Sequence, residues 1–290
     1  RTTESPIRQA KILLRITILP HTLRFMLLEG THSHQLIGRI MAFTPAKVLT
    51  THHWNEGLFS FTVERPSSFR FVSGQFVMLG LMVDGKPLLR AYSVASPMWD
   101  ESLEFLSIIV PDGPLTSRLY KIQPGDEILL GGKPTGTLTL DALLPGKRLH
   151  LIGTGTGLAP WMSIIRDPEA YERFEQITVQ HTVRQIQDLA YRDLLESKLK
   201  DDPLVAEEAA KQLVYDCSVT KCPTWVDENR RITTRIEAGD YPLDPATDRV
   251  MLCGSMAMIK ETGALLESLG FEEGAQSKPG TYVLERAFVG

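Results

Sequence analysis

The sequence predicts a two-domain α+β protein, in which a six-stranded antiparallel β-barrel is followed by a doubly wound parallel α/β domain. Before residue 144, short β-rich segments alternate with turns rich in Gly, Pro and Asp, which is typical of a small barrel. After Pro145-Gly146, strands alternate with helices, which indicates a parallel sheet. The chain has 290 residues, 43% of them hydrophobic, which is enough for two cores.

The first domain contains six short candidate strands, separated by turn sequences such as Asp84-Gly85 and Pro124-Gly125. One helix, Leu115–Tyr120, is expected after the Gly113-Pro114 turn, because Pro suits the first turn of a helix. The predicted strands are Lys47–Thr50, Leu58–Val63, Gln75–Leu81, Leu88–Ala95, Leu103–Val110 and Glu127–Gly131.

The second domain begins with a buried-type strand, Arg148–Ile152, which a Gly-rich turn and a helix follow. The further predicted strands are Gln176–Val183, Gln212–Ser218, Arg249–Cys253 and Tyr282–Glu285. The further predicted helices are Leu189–Lys200, Thr233–Ala238 and Ala257–Leu269.

Three segments organise the chain: residues 1–40 outside the fold, 41–144 as the barrel domain and 145–290 as the α/β domain. The first 40 residues contain six Lys or Arg and two acidic residues. They are interpreted as an added or upstream-translated leader, a genuine extension or a basic targeting peptide, and Met41 is a plausible start.

Composition excludes several classes of protein. The net charge of −4 gives no basic excess for nucleic acid. The three cysteines Cys217, Cys222 and Cys253 cannot form a disulfide framework, which predicts a reducing, cytoplasmic compartment. No run of 18 apolar residues is present, so no membrane span is predicted. A monomer is expected.

The sharpest motif is Gly153-Thr154-Gly155-Thr156-Gly157, between a strand and a helix. Glycines at such a turn let backbone amides approach a pyrophosphate. The spacing is neither the GxGxxG fingerprint nor a P-loop, and a turn without a ligand is the competing interpretation.

Three further motifs carry chemistry. Arg90 can pair with a phosphate, and Tyr92, on the same strand face, can stack on a flat ring with the small donor Ser93 beside it. Thr116 and Ser117 open a helix that can bind an anion, or that is simply capped. Cys253-Gly254 ends a parallel strand, where ligands bind, although Cys253 alone fits a plain core position.

Together these motifs resemble the bacterial, plant-type ferredoxin/flavodoxin–NADP+ reductases, from about residue 42 to the terminal Leu284-Glu-Arg-Ala-Phe-Val289. The resemblance implies that Arg90 contacts the FAD pyrophosphate, that Tyr92 stacks on the flavin and that Ser93 bonds near its nitrogen 5. Further residues that it implies at FAD are Ala91, Ile108, Val110, Gly113, Thr116, Ser117 and, on the adenine, Phe288. The residues that it implies beside the reacting rings are Ser93, Cys253, Glu285 and Ala287, the last in place of the terminal Tyr of plant enzymes.

The same resemblance implies an NADP site. Its members are Thr154, Gly155, Thr156, Gly157, Arg184, Thr220, Lys221, Arg231, Thr233 and Gly254. Two residues depart from the family pattern, because Lys221 replaces an Arg and Arg230 replaces a Gly. A point charge at 221 lacks the Arg fork, so NADPH is expected to be preferred less sharply.

The predicted function is that of an FAD-dependent oxidoreductase exchanging electrons between NADPH and a one-electron carrier, ferredoxin or flavodoxin. One alternative is an NAD(P)H–flavin or oxygenase reductase component on the same two domains, and another is a non-catalytic nucleotide-binding regulatory subunit. No metal site is expected: His52 and His53 are adjacent on a strand and face opposite sides.

Overall fold

The computed structural model describes residues 43–222 and 231–285. The chain divides into two compact units, residues 1–44 and 45–290, and nearly all the described residues belong to the second. No helix in these two described stretches has the length and apolar character needed to cross a membrane.

The first half of the described chain is a six-stranded antiparallel sheet in the order β4-β3-β6-β1-β2-β5. An isolated bridge between Val94, just after β4, and Phe105 of β5 joins the two edge strands, so the sheet closes into a barrel. A short helix, α1 (Thr116–Leu119), follows β5. The strands are β1 (Phe43–Asn55), β2 (Leu58–Glu64), β3 (Phe76–Val83), β4 (Lys86–Ser93), β5 (Ser102–Ile108) and β6 (Glu127–Gly131).

Aromatic residues fill the barrel interior. Phe59, Phe61 and Phe105 are almost fully buried, and the Phe59–Phe61 and Phe61–Phe105 ring centroids lie 5.9 and 5.5 Å apart. Burial of each ring contributes about 1.5–3 kcal/mol. The barrel therefore has an independent core that holds its strand ends in place.

The second half is a five-stranded parallel sheet in the order β11-β10-β7-β8-β9. Its strands are β7 (Arg148–Thr154), β8 (Gln176–Val183), β9 (Leu213–Val219), β10 (Asp248–Cys253) and β11 (Tyr282–Leu284). The helices around it are α2 (Ala159–Ile164), α3 (Pro168–Arg173), α4 (Arg192–Glu196), α5 (Ala206–Gln212), α6 (Ile232–Glu237) and α7 (Met256–Ser268). Because the strands are parallel, the turns after β7, β8, β9 and β10 all lie at one edge of the sheet, where ligands bind in such folds.

A second hydrophobic core, separate from the barrel interior, spans the two halves. Leu58, Ala95 and Leu106 of the barrel belong to the same buried cluster as Leu151 and Trp161 of the parallel sheet and its first helix. Such a continuous apolar interface holds the two halves as one body.

Polar contacts reinforce this interface. The Asn55 side chain donates from Nδ2 to the Gln187 carbonyl (2.8 Å) and to Asp188 Oδ1 (3.1 Å). Tyr191 Oη donates to Glu104 Oε1 at 2.7 Å, and burial raises the pKa of the Glu104 carboxyl. The end of β1 is therefore hydrogen-bonded to the loop after β8, and β5 is hydrogen-bonded to the residue that precedes α4.

Several elements differ from the sequence-based expectation. The predicted strand Lys47–Thr50 is part of the 13-residue strand β1. The predicted helix Leu189–Lys200 is limited to Arg192–Glu196, because Tyr191, Lys198 and Leu199 have positive φ, which a right-handed helix does not allow. The sequence pattern predicts neither α3 nor α5, because both helices are too short to show a clear periodicity.

Candidate functional site

The glycine turn after β7 has the geometry that the motif predicts. β7 ends at Thr154, a 3-10 turn spans Gly155–Leu158, and α2 follows directly with Pro160 in its first turn. Gly155 has a φ of +56°, and a Cβ there would face open space. A Cβ at Gly153 would lie 2.6 Å from Trp161 Nε1, so this glycine permits the close packing of helix on strand.

The turn after β7 is packed tightly against the turn after β10. A Cβ at Gly157 would lie 2.3 Å from the Cys253 carbonyl oxygen, and a Cβ at Gly254 would lie 2.2 Å from Thr154 Oγ1. Thr154 Oγ1 accepts a hydrogen bond from the Ser255 amide at 2.8 Å. Gly157 is thus buried behind the turn, where it sets the spacing between two strand ends.

These turns form one wall of a pocket of about 690 Å³. Eight residues predicted for NADP line it: Thr154, Gly155, Thr156, Arg184, Thr220, Arg231, Thr233 and Gly254. Two others do not: Gly157 lies against Cys253, and Lys221 is exposed with its amide donating to the Arg184 carbonyl at 2.9 Å. Arg230 lies outside the described residues.

The barrel contributes an unexpected wall to this pocket. Gly57, Leu58 and Ile108 line it, and Ile108, which is predicted beside FAD, thus lies on the same pocket as eight residues predicted for NADP. Asn55 Oδ1 accepts from the Gly57 amide at 2.7 Å while its Nδ2 holds the loop after β8, so one side chain fixes both walls. An Asn two residues before a Gly in a hairpin is the local signal for this turn, but its partner loop is about 130 residues away.

The Arg90–Ser93 segment forms the end of β4 beside β5. Arg90 is exposed, its Nη1 donates to the Leu89 carbonyl at 2.8 Å, and Ala91 is half-buried. Tyr92 is buried, with its hydroxyl 3.1 Å from Ser107 Oγ, and burial raises the pKa of that hydroxyl. Ser93 Oγ is buried and has no hydrogen-bond partner within the described residues.

The segment after β5 is folded back on itself. Thr116 Oγ1 accepts from the Val110 amide at 3.1 Å and donates to the Val110 carbonyl at 3.3 Å. A Cβ at Gly113 would lie 2.7 Å from Thr116 Oγ1, which explains the glycine. Ser117 is half-buried, and its amide donates to the Gly113 carbonyl at 3.1 Å.

A chain of contacts brings Ser93, Glu285 and Cys253 to the junction of the two halves. Ser93 pairs with Phe76 of β3, and a Cβ at Gly136 would lie 3.2 Å from the Phe76 ring and 3.1 Å from Glu285 Oε2. Glu285 Oε2 accepts from the Thr137 amide at 3.2 Å.

Cys253 has no solvent exposure, and burial, together with the negative charge of Glu285, raises the pKa of its thiol. The thiol is therefore neutral. The predicted residues Ala287 and Phe288 lie outside the described residues.

No cluster of three or more potential metal ligands occurs within the described part of the chain. Cys217, Cys222 and Cys253 form no disulfide.

Two family models match the two halves in order. Residues 47–140 match the oxidoreductase FAD-binding domain, and residues 151–263 match the oxidoreductase NAD-binding domain.

Similar proteins cover most of the chain. It is 50% identical over 258 residues to ferredoxin–NADP reductase A of Sorangium cellulosum, covering 87% of this chain and 92% of the relative. It is 48% identical over 261 residues to the flavodoxin/ferredoxin–NADP reductase of Rhodobacter capsulatus, covering 85% and 96%. The crystal structure of a ferredoxin NADP+ reductase from Neisseria gonorrhoeae with bound FAD and NADP has a TM-score of 0.76 at 30% identity, covering 85% of this chain and 99% of that one.

Proposed function

We propose that this chain, which belongs to the ferredoxin–NADP reductase family, exchanges electrons between NADPH and a ferredoxin or a flavodoxin, with FAD as its cofactor. The observation that carries the proposal is the convergence of eight residues predicted for NADP, from five separate segments, on one pocket. A binding site requires such convergence of distant segments, whereas unrelated turns have no reason to meet at one pocket.

The residues present fit a flavin at the end of β4. A buried hydroxyl without a partner costs about 1–3 kcal/mol, so Ser93 Oγ is best explained by an acceptor or donor on a bound group. Tyr92 would stack on the ring, and Arg90, with Thr116 and Ser117, would hold the phosphates. When bound, FAD supplies the capacity to exchange electrons in pairs with NADPH and singly with a protein carrier.

The charged and hydroxyl-bearing part of the pocket lining fits the phosphate groups of NADP. Arg184 and Arg231 bring two permanent positive charges to it, and the hydroxyl-bearing residues Thr220 and Thr233 line it beside them. Two guanidinium groups and two hydroxyl groups would bind a phosphate on the ribose through charge-assisted hydrogen bonds. An acidic residue at the end of the third strand would favour NAD, and Thr220 and Lys221 occupy that place instead.

The chain's own residues position the reactants and exclude water. Cys253, next to the pocket residue Gly254, keeps a buried and neutral thiol at the end of β10. Glu285, whose Oε2 accepts from the Thr137 amide, would present a carboxylate to the flavin. Leu58 and Ile108 of the barrel line the same pocket as the Gly155 turn, so the barrel and the sheet together would hold a nucleotide bound there.

A direct experiment measures NADPH oxidation by the purified protein with ferredoxin and flavodoxin as competing acceptors. Cofactor released by heat should have the mass of FAD, and the yellow absorption should bleach under NADPH. A colourless protein that oxidises no NADPH would contradict the proposal. The comparison of acceptors also decides which carrier is preferred.

The setting of the enzyme is also part of the proposal. The three cysteines fit a reducing cytoplasm, and we propose that the chain acts there as a monomer. Sedimentation of the full chain at micromolar concentration tests the oligomeric state.

A further inference from the structure

A buried histidine lies directly under the glycine turn. His181 is in β8, paired in register with Gly153 of β7, and only 1% of its surface is exposed. Its Nε2 lies 3.0 Å from the Gly155 carbonyl oxygen. His181 Nδ1 is buried and has no hydrogen-bond partner within the described residues.

The contact defines the protonation state of the ring. A carbonyl oxygen only accepts hydrogen bonds, so Nε2 must carry the proton and donate it. Burial lowers the pKa of His181 to about 4, so at neutral pH the ring is uncharged and Nδ1 carries no proton. The side chain therefore acts as a fixed neutral donor.

The orientation of the Gly155–Thr156 peptide follows from this hydrogen bond. In a trans peptide the C=O and N–H bonds point in opposite directions. Because the Gly155 carbonyl points inward at His181, the Thr156 amide points away from His181. Gly155 and Thr156 both line the pocket, while His181 does not.

We propose that His181 is a positioning residue for NADPH, which holds the Gly155–Thr156 peptide so that the Thr156 amide faces the nucleotide. The inference rests on the proposed function. Gly155 has a φ of +56° and faces open space, so its own packing does not fix the peptide. The histidine adds a side-chain hydrogen bond from the neighbouring strand to the backbone bonds of the 3-10 turn.

The test compares His181→Leu with His181→Gln. Leucine removes the side-chain donor to the Gly155 carbonyl, whereas the glutamine amide keeps a donor at similar reach. We expect His181→Leu to raise the KM for NADPH about tenfold, with kcat for a dye acceptor changed less than twofold, and His181→Gln to restore KM to within about threefold of wild type.

The matched control is His150→Leu. His150 is also buried, lies on the adjacent strand β7 and bonds to Tyr241 Oη at 2.9 Å, but it does not line the pocket. Its loss should lower thermal stability without changing the KM for NADPH. Equal rises in KM for both Leu variants would assign the effect to general loosening and overturn the proposal.

Nitrogen NMR of the wild-type protein provides a test that does not depend on a variant folding. The His181 signal, identified by its absence in His181→Gln, should show a protonated Nε2 and a bare Nδ1 at pH 7. The opposite tautomer would overturn the inference, as would an unchanged KM in His181→Leu. Failure of the proposed function would appear differently, as no NADPH oxidation by wild type, and the inference would then fall with it.

Discussion

The substitution Gly157→Ala tests whether the close approach of two strand ends controls the reaction. A Cβ at this position would lie 2.3 Å from the Cys253 carbonyl oxygen, 2.6 Å from its carbon and 2.8 Å from the Gly254 nitrogen. All three are backbone atoms, so no side chain can rotate away. To reach even 3.0 Å the turns after β7 and β10 must separate by about 0.7 Å.

The expected cost appears in both stability and rate. Overpacking of this kind costs about 1–3 kcal/mol in the free energy of unfolding. Because Thr154 and Gly254 on these same turns line the pocket, a shift approaching 1 Å should lower kcat/KM for NADPH by about 10- to 100-fold. The assay is NADPH-dependent dye reduction, together with urea unfolding of the same preparation.

Gly263→Ala is the matched control. Gly263 lies in α7, and the nearest atoms to a Cβ there are 3.9 Å away, on Leu284 and Tyr282. Alanine should fit and should raise helix stability by up to about 1 kcal/mol, with activity unchanged. A Gly157→Ala enzyme with wild-type kcat/KM would refute the argument that the spacing of these turns matters.

Three further predictions concern phosphate binding by Arg231, the hydrogen bonds of Asn55 between the two halves, and the pH dependence of stability. Arg231→Ala should raise the KM for NADPH by about 10- to 100-fold, through the loss of about 1.5–3 kcal/mol of charge-assisted binding, and should leave the KM for NADH nearly unchanged; equal losses for both nucleotides would contradict the assignment. Asn55→Ala removes the hydrogen bonds to the loop after β8 and should raise the KM for NADPH about threefold to tenfold. The control is kcat/KM for a free flavin as substrate, which falls if the substitution damages the protein in general. His181 has a folded pKa of about 4 against an ordinary value near 6.5, so the unfolded chain binds more protons between these values and acid favours unfolding. The free energy of unfolding should therefore fall by about 2 kcal/mol more between pH 7 and pH 5 in wild type than in His181→Gln, measured by urea titration, and parallel losses in the two proteins would count against the buried neutral ring.

The elements that were predicted correctly are those whose signals are local. The strand Gln176–Val183 has the predicted bounds, and the Gly153–Pro160 turn lies between a strand and a helix as expected. Apolar runs and turn residues determine such elements because backbone conformation responds to near neighbours. The motif Arg90–Ser93 likewise lies on a strand.

Elements without a local signal were missed. α3 and α5 are one or two turns long, and so short a periodic segment does not stand out in a sequence. The predicted helix at Leu189–Lys200 is limited to Arg192–Glu196, because Tyr191 and Leu199 have positive φ values that a right-handed helix does not allow.

The sequence alone determined the two-domain fold class and the order of the motifs, and it predicted the residue types that would meet phosphates and rings, because each depends on short-range chemistry. Only the tertiary structure decided which of these residues line one pocket and which pack against the pocket residues without lining it. His181 reaches Gly155 across 26 residues, and Asn55 reaches Asp188 across 133. These contacts depend on the register of parallel strands and on the packing of the barrel against the sheet, and no local spacing encodes either one.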